Sequence, residues 1–357
     1  MRPKLPAAPK LAPYLEKIDS TRIYTNFGPL ALTLENRLAA HYSLPTRTVS
    51  TVANGTLGIM LALTAQGAVP GTLCAIPGWT FVATAQAAIL AGLVPYFIDV
   101  DPATGALDVG SLANVIARAP GTIGAVVPVA PFGQPIDVRA WDQFRSRTGI
   151  PVVIDAAAGF DALRPGETPS VVSMHATKAL GAGEGGFVVS ADTALIRKIA
   201  VRSNFGFAGT REAILPAVNG KLSEYHAAVA HAGLDEWEVV RNEWLACSGG
   251  YRRALRHLAT VELQPGFGES WVSSSCVVRV PNNSTSRIER ELMSKQIATR
   301  RWWGNGAHAH SAMMNYPRAQ LPVTEALARA TIGLPLYRDI AVADVERVCE
   351  SLSAAMG

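Results

Sequence analysis

Lys178 is the one lysine in SMHATKALGAGEGGFVVS (residues 173–190), an otherwise small and apolar stretch. An amine held among apolar groups is driven towards its neutral, nucleophilic form. Upstream, Asp155 closes the apolar run of PVVIDAAAG (151–159). A carboxylate there can hold a cation beside it, or simply cap a turn or helix. Asn54, Gly55 and Thr56 open the helix-like ANGTLGIM (53–60). Free backbone N–H groups and the helix dipole suit that place to a phosphate, and equally to an ordinary Asn or Thr cap. Trp79 and Phe81 lie in PGWTFVAT (77–84), where an aromatic face can cover a planar ring or join the core.

Together these pieces are what pyridoxal phosphate asks of a protein: an amine for its aldehyde, an anion beside its pyridine nitrogen, a cradle for its phosphate and a face for its ring. Each piece alone reads as well as ordinary structure. Their joint order along the chain carries the reading: phosphate helix, aromatic loop, Asp155 at a strand end, then Ser173, in reach of the same phosphate, and Lys178. The rival reading of the glycine run fails on context. Gly181, Gly183 and Gly186 fit G-x-G-x-x-G, but a dinucleotide fingerprint follows a strand, opens a helix and has an acid about twenty residues on. Here the glycines lead into the strand-like GFVVS (186–190), and the acid is missing.

The elements that must position these residues alternate. TLGIMLALTAQG (56–67) and TFVATAQAAILAG (80–92) have helical spacing. TLCAIP (72–77), VPYFIDV (94–100), GAVVPVAPFG (124–133), PVVIDAAAG (151–159), SVVSMH (170–175) and GGFVVS (185–190) read as buried strands. Such a pattern predicts an α/β fold with a mostly parallel sheet covered on both faces, binding ligands at the C-terminal strand ends. Residues 223–258 read as one long helix, with a break expected at Gly249-Gly250. Strand-like 273–281 and helix-like 284–296 and 341–356 suit a smaller α+β domain. The expected division is 1–240 and 241–357, with the N-terminal segment free to pack on the smaller part.

Composition narrows the function classes. The 357 residues are 49% hydrophobic and 17% charged, with a net charge of +4, an ordinary globular balance. Lys and Arg are scattered rather than gathered in a patch, which argues against nucleic-acid binding. Cys74, Cys247, Cys276 and Cys349 are far apart and form no CxxC, so they read as reduced thiols. The Pro-rich N-terminus lacks a signal-peptide core, and no apolar run reaches the roughly 18 residues of a membrane span. The expectation is a cytoplasmic protein. His308 and His310 form H-x-H, but no third ligand accompanies them, and no metal is expected.

On NGTLGIMLAL, PGWTFVATAQAAILAGLVPYFIDVDPATGALDV, VVIDAAAGFDA, SMHATKALGAGEGGFVVS and VNGKLSEYHAAVAHAGL, the chain resembles the DegT/StrS family of pyridoxal-phosphate-dependent sugar aminotransferases, from about residue 24 to 340. The resemblance implies fold type I, with a mostly parallel seven-stranded sheet in the large domain. It implies that Lys178 carries the cofactor as a Schiff base and moves the proton, and that Asp155 pairs with the pyridine nitrogen. Asn54, Gly55, Thr56 and Ser173 would hold the phosphate, and Phe81 would stack on the ring. Asn219, in VNGKLSE, would reach the phosphate of a neighbouring subunit's cofactor, implying a homodimer with shared sites. Ala158 stands where the family usually carries Gln or His near the phenolic oxygen, so a hydrogen-bond donor is lost there.

The motifs TNFGP, NGT, HATK, NFGFA and NGKLSE look most like those of enzymes making 3- or 4-amino sugars on dTDP. The implied reaction moves the amino group of glutamate to a nucleotide-linked 4-keto-6-deoxy sugar. Substrate contacts are expected from Asn26, Phe27, Trp79, His175, Arg301, Trp302 and His308, with Arg301 on the diphosphate and Trp302 or Trp303 on a base or sugar. His175 also reads as an orienter of its own loop, and RRWWGNGAHAH (300–310) as a partly buried aromatic corner. A 3-keto sugar nucleotide or an inosose remains an alternative acceptor, as does a catalytically silent binding or regulatory relative. Loss of Lys178 or Asp155 would have favoured the last.

Overall fold

The computed structural model describes residues 2–356. Helices α1 (Ala8–Thr21) and α2 (Pro29–His41) lead into β1 (Val49–Val52) and α3 (Gly55–Ala65). Then come β2 (Leu73–Pro77), α4 (Val82–Leu90), β3 (Val94–Ile98), α5 (Leu112–Ala117), β4 (Ile123–Val126), α6 (Val138–Thr148) and β5 (Ile154–Asp155). Strands β6 (Ser170–Ser173) and β7 (Gly186–Val189) precede α7 (Thr193–Ser203), α8 (Glu224–Asp235) and α9 (Trp237–Leu255). The chain ends with β8 (Glu262–Leu263), β9 (Cys276–Arg279), α10 (Thr285–Ser294), α11 (Pro322–Ala330), β10 (Thr331–Leu334) and α12 (Val342–Met356).

Strands β1-β7-β6-β5 and β3-β2-β4 form two ladders. Parallel bridges from Val126 to Val152 and from Val129 to Asp155 join them. The result is one seven-stranded sheet in the order β1-β7-β6-β5-β4-β2-β3. Only β7 runs against its neighbours, so the sheet is mostly parallel, as expected. Pro95 sits on the outermost strand, β3. Phe97, two residues on, turns its N–H away from β2 to the Pro317 carbonyl. Pro95 therefore faces the same outer edge, where a missing N–H breaks no ladder bond.

Alternation explains the two-sided cover. Val153, Val171 and Val188 face a layer containing Ile59 and Leu61 of α3, Ala85 and Ala88 of α4, and Ile196 and Ile199 of α7. Ile154, Val172 and Val189 face the other layer, with Leu34 and Leu38 of α2, Trp141 and Phe144 of α6, and Ala228 of α8. Antiparallel β10-β9-β8 makes a separate small sheet, and α12 packs against α9 and α10.

The long helix breaks elsewhere than expected. It divides at Glu236, between α8 and α9, while Gly249 and Gly250 lie inside α9. The glycines serve packing: a Cβ on Gly249 would lie 3.3 Å from the Gly268 carbonyl oxygen. The N-terminal prolines do not prevent α1: Pro9 falls in its first turn, where a missing N–H costs nothing, while Pro13 lies inside the helix and gives up one backbone bond. Tyr14 fastens α1 to α8, donating to Asp235 at 2.6 Å and stacking on His231. No helix among the described residues is long and apolar enough to cross a membrane.

Candidate active site

The candidate residues gather where the parallel strands end. Asp155 ends β5 and Ser173 ends β6, while β1 and β2 lead into the N-termini of α3 and α4. Asp155 is buried, at 6% exposure. Its Oδ2 accepts from the Thr84 hydroxyl at 2.7 Å, and its Oδ1 accepts from Ala157 N–H at 3.1 Å. Since Thr84 donates to the carboxylate, its oxygen accepts from Thr80, 2.9 Å away. Burial raises the Asp155 carboxyl above its ordinary value; the two hydrogen bonds and the charge of Lys178 oppose that rise. Those bonds favour the carboxylate, worth about 1.5–3 kcal/mol each for a charged acceptor.

Lys178 belongs to the loop between β6 and β7. Met174 N–H to Gly185, Ala176 N–H to Gly183 and Ala182 N–H to Met174 tie that loop across itself. Lys178 keeps partial solvent access, but the surrounding protein lowers its amine below the usual lysine value, with Asp155 pulling the other way. A recess of about 20 Å³ beside it is also lined by Trp244, Ser274, Leu336 and Arg338, so the C-terminal region closes on this lysine.

The glycine run has a packing role. Gly185 adopts φ +142°, which suits glycine. A Cβ on Gly186 would lie 2.8 Å from the Val172 carbonyl oxygen and 3.1 Å from the backbone nitrogen of Gly55. The bare backbone of β7 thus lets the first turn of α3 approach closely. Gly55 in turn abuts Ser173: a Cβ there would meet the Ser173 Cβ at 3.4 Å. Gly55, Thr56 and Ser173 therefore come together at a helix N-terminus, a place suited to an anion. Asn54 is the exception among the phosphate candidates. Its side chain caps α3, accepting from Leu57 N–H at 2.9 Å, so its oxygen is committed to the helix. Phe81, at the N-cap of α4, is 56% exposed and offers a free ring face. Ala158 lies close under Gly133, whose absent Cβ would fall 2.4 Å from the Ala158 carbonyl oxygen.

The substrate candidates scatter. Trp79 is 3% exposed and packs edge-on to Trp303, which stacks on Phe132 with centroids 3.9 Å apart. Trp79 is thus a wall residue, not an open platform. The guanidinium of Arg301 is spent inside the C-terminal region, on Glu289 at 3.0 Å, the Ala328 carbonyl at 2.6 Å and the Thr285 hydroxyl. It staples α10 to α11. Trp302 is half-buried and lines a groove of about 410 Å³ with Arg300, Tyr337 and Arg347; Ser274 and Leu336 are common to this groove and the recess at Lys178.

His308 is buried at the edge of Phe97, its Nδ1 without a hydrogen-bond partner among the described residues. No group of three or more His, Cys, Asp or Glu among the described residues is arranged to hold a metal ion. His175 is engaged in its own loop. Its Nδ1 accepts from Thr177 N–H at 3.3 Å, which places the ring proton on Nε2, facing Glu184 at 3.7 Å. Asn26 and Phe27 both sit in the left-handed region, at φ 63° and 56°, a strained geometry for Phe. The next residue, Gly28, packs against Glu224, whose carboxylate caps α2 through Leu30 and Ala31 N–H at 2.7 and 2.8 Å. The TNFGP loop is therefore held by the NGKLSE segment. Asn219 is exposed there, and the carbonyl of its neighbour Gly220 accepts from Ala53 N–H at 2.7 Å.

Sequence reasoning missed Thr84 and Glu224. For Thr84 a signal existed: Thr80 and Thr84 are spaced i, i+4 at the start of an apolar helix. Glu224 acts across a long chain separation, and no local pattern reports that.

The sequence profile of the DegT/DnrJ/EryC1/StrS aminotransferase family matches residues 8–353. The protein Rv3402c of Mycobacterium tuberculosis is 31% identical, covering 99% of this chain and 89% of its own. The dTDP-4-amino-4,6-dideoxy-D-glucose transaminase of Shigella dysenteriae is 32% identical, covering 73% of this chain and 71% of its own. Among solved structures, DesI in the presence of its TDP-sugar product has a TM-score of 0.88 and 29% identity, over 99% of this chain and 92% of that one.

Proposed function

This chain belongs to the DegT/DnrJ/EryC1/StrS aminotransferase family, and from that premise we propose that it moves the amino group of glutamate to a nucleotide-linked 4-keto-6-deoxy sugar, most simply a dTDP sugar. The dTDP-sugar transaminase of Shigella dysenteriae supports the sugar nucleotide, and the structure of DesI in the presence of its TDP-sugar product agrees with it. The observation that carries the reading is the pairing of a buried carboxylate, Asp155, with an amine of lowered basicity, Lys178, beside the Gly55–Ser173 helix terminus.

Pyridoxal phosphate is the cofactor of such an aminotransferase, and the site's donors and acceptors fit it. When bound, it supplies an electron sink for the carbon that loses its proton. The chain supplies the rest. Asp155, fixed by Thr84 and Ala157, keeps a negative charge where the pyridine nitrogen would carry its proton. Gly55 and Thr56 N–H with the Ser173 hydroxyl would hold its phosphate, and Phe81 would cover its ring. Lys178 takes the α-proton at its Nζ when neutral and later returns it; burial favours that neutral form, with the Asp155 charge opposing. His175 holds the loop that carries Lys178. Ala158 offers no hydrogen bond towards the phenolic oxygen. The groove at Trp302 adjoins the Lys178 recess and suits a nucleotide, with the ring as a stacking face.

The reading includes a cytoplasmic homodimer with shared sites, in which Asn219 reaches a neighbouring subunit's phosphate, and a division of the chain at residues 240 and 241. Exposed Phe205, Ile214 and Val218 lie on the same segment as Asn219. The test is direct. Purified protein loaded with pyridoxal phosphate should lose its visible absorption on adding glutamate and release 2-oxoglutarate. A panel of dTDP-linked 3-keto and 4-keto sugars and an inosose then identifies the acceptor by amine formation. A protein that never takes up the cofactor sinks the proposal.

A further inference from the structure

Residues 2–6 precede α1 as a strap with no helix or strand of its own. The strap is fastened at three places. Arg2 sets its guanidinium over the Tyr337 ring, 5.1 Å from the centroid. The Lys4 carbonyl accepts from Arg338 Nη1 at 3.2 Å, and Arg338 is itself paired with Glu243 of α9 at 2.6 Å. Leu5 fills the space beside Gly181, where a Cβ would fall 2.8 Å from the Leu5 Cδ2. The strap therefore crosses from the C-terminal region to the loop that carries Lys178.

Arg2 lines both hollows at that crossing, the groove of about 410 Å³ at Trp302 and the recess at Lys178. The groove carries three arginines, Arg2, Arg300 and Arg347, against one carboxylate, Asp344, so its lining is positive. Arg347 is engaged within the protein, with Asp344 at 3.9 Å and the Lys295 carbonyl at 3.1 Å. Arg300 lies over Trp302, 5.0 Å from the ring centroid. Arg2 is exposed. Contact with a ring engages a guanidinium through its charge and leaves its in-plane N–H fork to an oxyanion. Arg301, whose place in the sequence suggested a diphosphate contact, is committed to Glu289, Thr285 and Ala328. The cation for a diphosphate must then come from elsewhere.

We propose that Arg2 is a specificity-determining residue of the acceptor site: its guanidinium takes the diphosphate of the sugar nucleotide in the groove, and the bound diphosphate fixes the strap across the Lys178 recess. The proposal rests on the aminotransferase reading above and assigns the diphosphate to a residue outside the C-terminal region. A diphosphate offers paired oxygens that match the guanidinium fork. A nucleoside with the same base lacks them, so the groove selects by the diphosphate.

The test measures the binding of dTDP and of thymidine by calorimetry, in the wild type, Arg2→Ala and Arg2→Lys, each loaded with pyridoxal phosphate. Loading fills the phosphate place at Gly55, Thr56 and Ser173, so dTDP reports on the groove. Arg2→Ala should bind dTDP about tenfold more weakly, the loss of one charge-assisted contact, and bind thymidine as the wild type does. Arg2→Lys should recover part of the difference. In steady-state assays the KM of Arg2→Ala for the sugar nucleotide should rise by a similar factor, with kcat little changed. Trypsin supplies a second readout: dTDP should slow cleavage after Lys4 in the wild type and not in Arg2→Ala. Unchanged dTDP affinity in Arg2→Ala overturns the proposal. An equal loss for thymidine does so too, because it marks a structural role, as does a wild type that binds dTDP no better than thymidine. A wild type that takes up no pyridoxal phosphate, or that glutamate does not bleach, defeats the aminotransferase reading. The dTDP comparison still decides Arg2 in that case, since Arg2→Ala leaves binding at the α3 terminus untouched.

Discussion

Lys178 and Lys221 both carry amines that burial pushes below the ordinary lysine value. They differ in what faces them. Lys178 has Asp155 as a countercharge, and Asp155 is itself held by Thr84 and Ala157. Lys221 has the Phe205 ring and, among the described residues, no charged partner. The first amine is tuned from within the chain, by burial in one direction and by the Asp155 charge in the other. The second is shifted by burial alone. A buried lysine alone says little; its counterion says whether it is poised for chemistry.

The sharpest way to break this contrast is Lys178→Ala. Transamination should vanish, by a thousandfold or more on the order of losing a general base and nucleophile together, while phosphate still protects the protein against heat. Appreciable residual transfer of the amino group would remove Lys178 from its role. Thr84→Val comes next. It deletes one hydrogen bond to the Asp155 carboxylate and should cost about tenfold in the first half-reaction, with the loss growing towards low pH as Asp155 becomes easier to protonate. An unchanged rate would mean that Asp155 needs no orienting partner.

Arg301→Met tests a charge that the fold has already paired. Stability should fall by about 2 kcal/mol, with the KM for the sugar nucleotide unchanged; a tenfold rise in KM at constant Tm would return Arg301 to the diphosphate. The smallest effect concerns Glu35. It accepts from the Thr51 N–H at 2.8 Å and its hydroxyl at 3.0 Å, and burial pushes its carboxyl up to about 7. The protonated form is favoured by the fold, so its stabilisation is present at low pH and is lost as pH rises from the ordinary carboxylate range through about 7. Glu35→Gln should flatten the dependence of Tm on pH between 5 and 8 and be the more stable protein at pH 8, by about 1 kcal/mol.

Much of the site was legible because its parts are local. Gly55 at a helix start, Asp155 at a strand end and Lys178 in a small-residue loop each follow from a few neighbouring residues. What misled was also local. Gly249-Gly250 looks like a helix break, yet α9 runs through it because the Gly268 turn needs the space. Arg301 and Trp79 have the chemistry of ligand contacts, but Glu289, Thr285 and Ala328 occupy the one, and Trp303 and Phe132 enclose the other.

The sequence by itself determined the alternation of buried strands and helices, hence a mostly parallel sheet, and the order of residues able to serve a phosphorylated aldehyde. Those properties depend on periodicity and on residue chemistry, which are written locally. Only the tertiary structure decided which charges find partners. Thr84 reaching Asp155, Glu224 capping α2 and Lys221 left beneath Phe205 are separated in the chain by up to 194 positions. Whether a charge is paired depends on distance in space and on the exclusion of water, and neither is set until the layers pack.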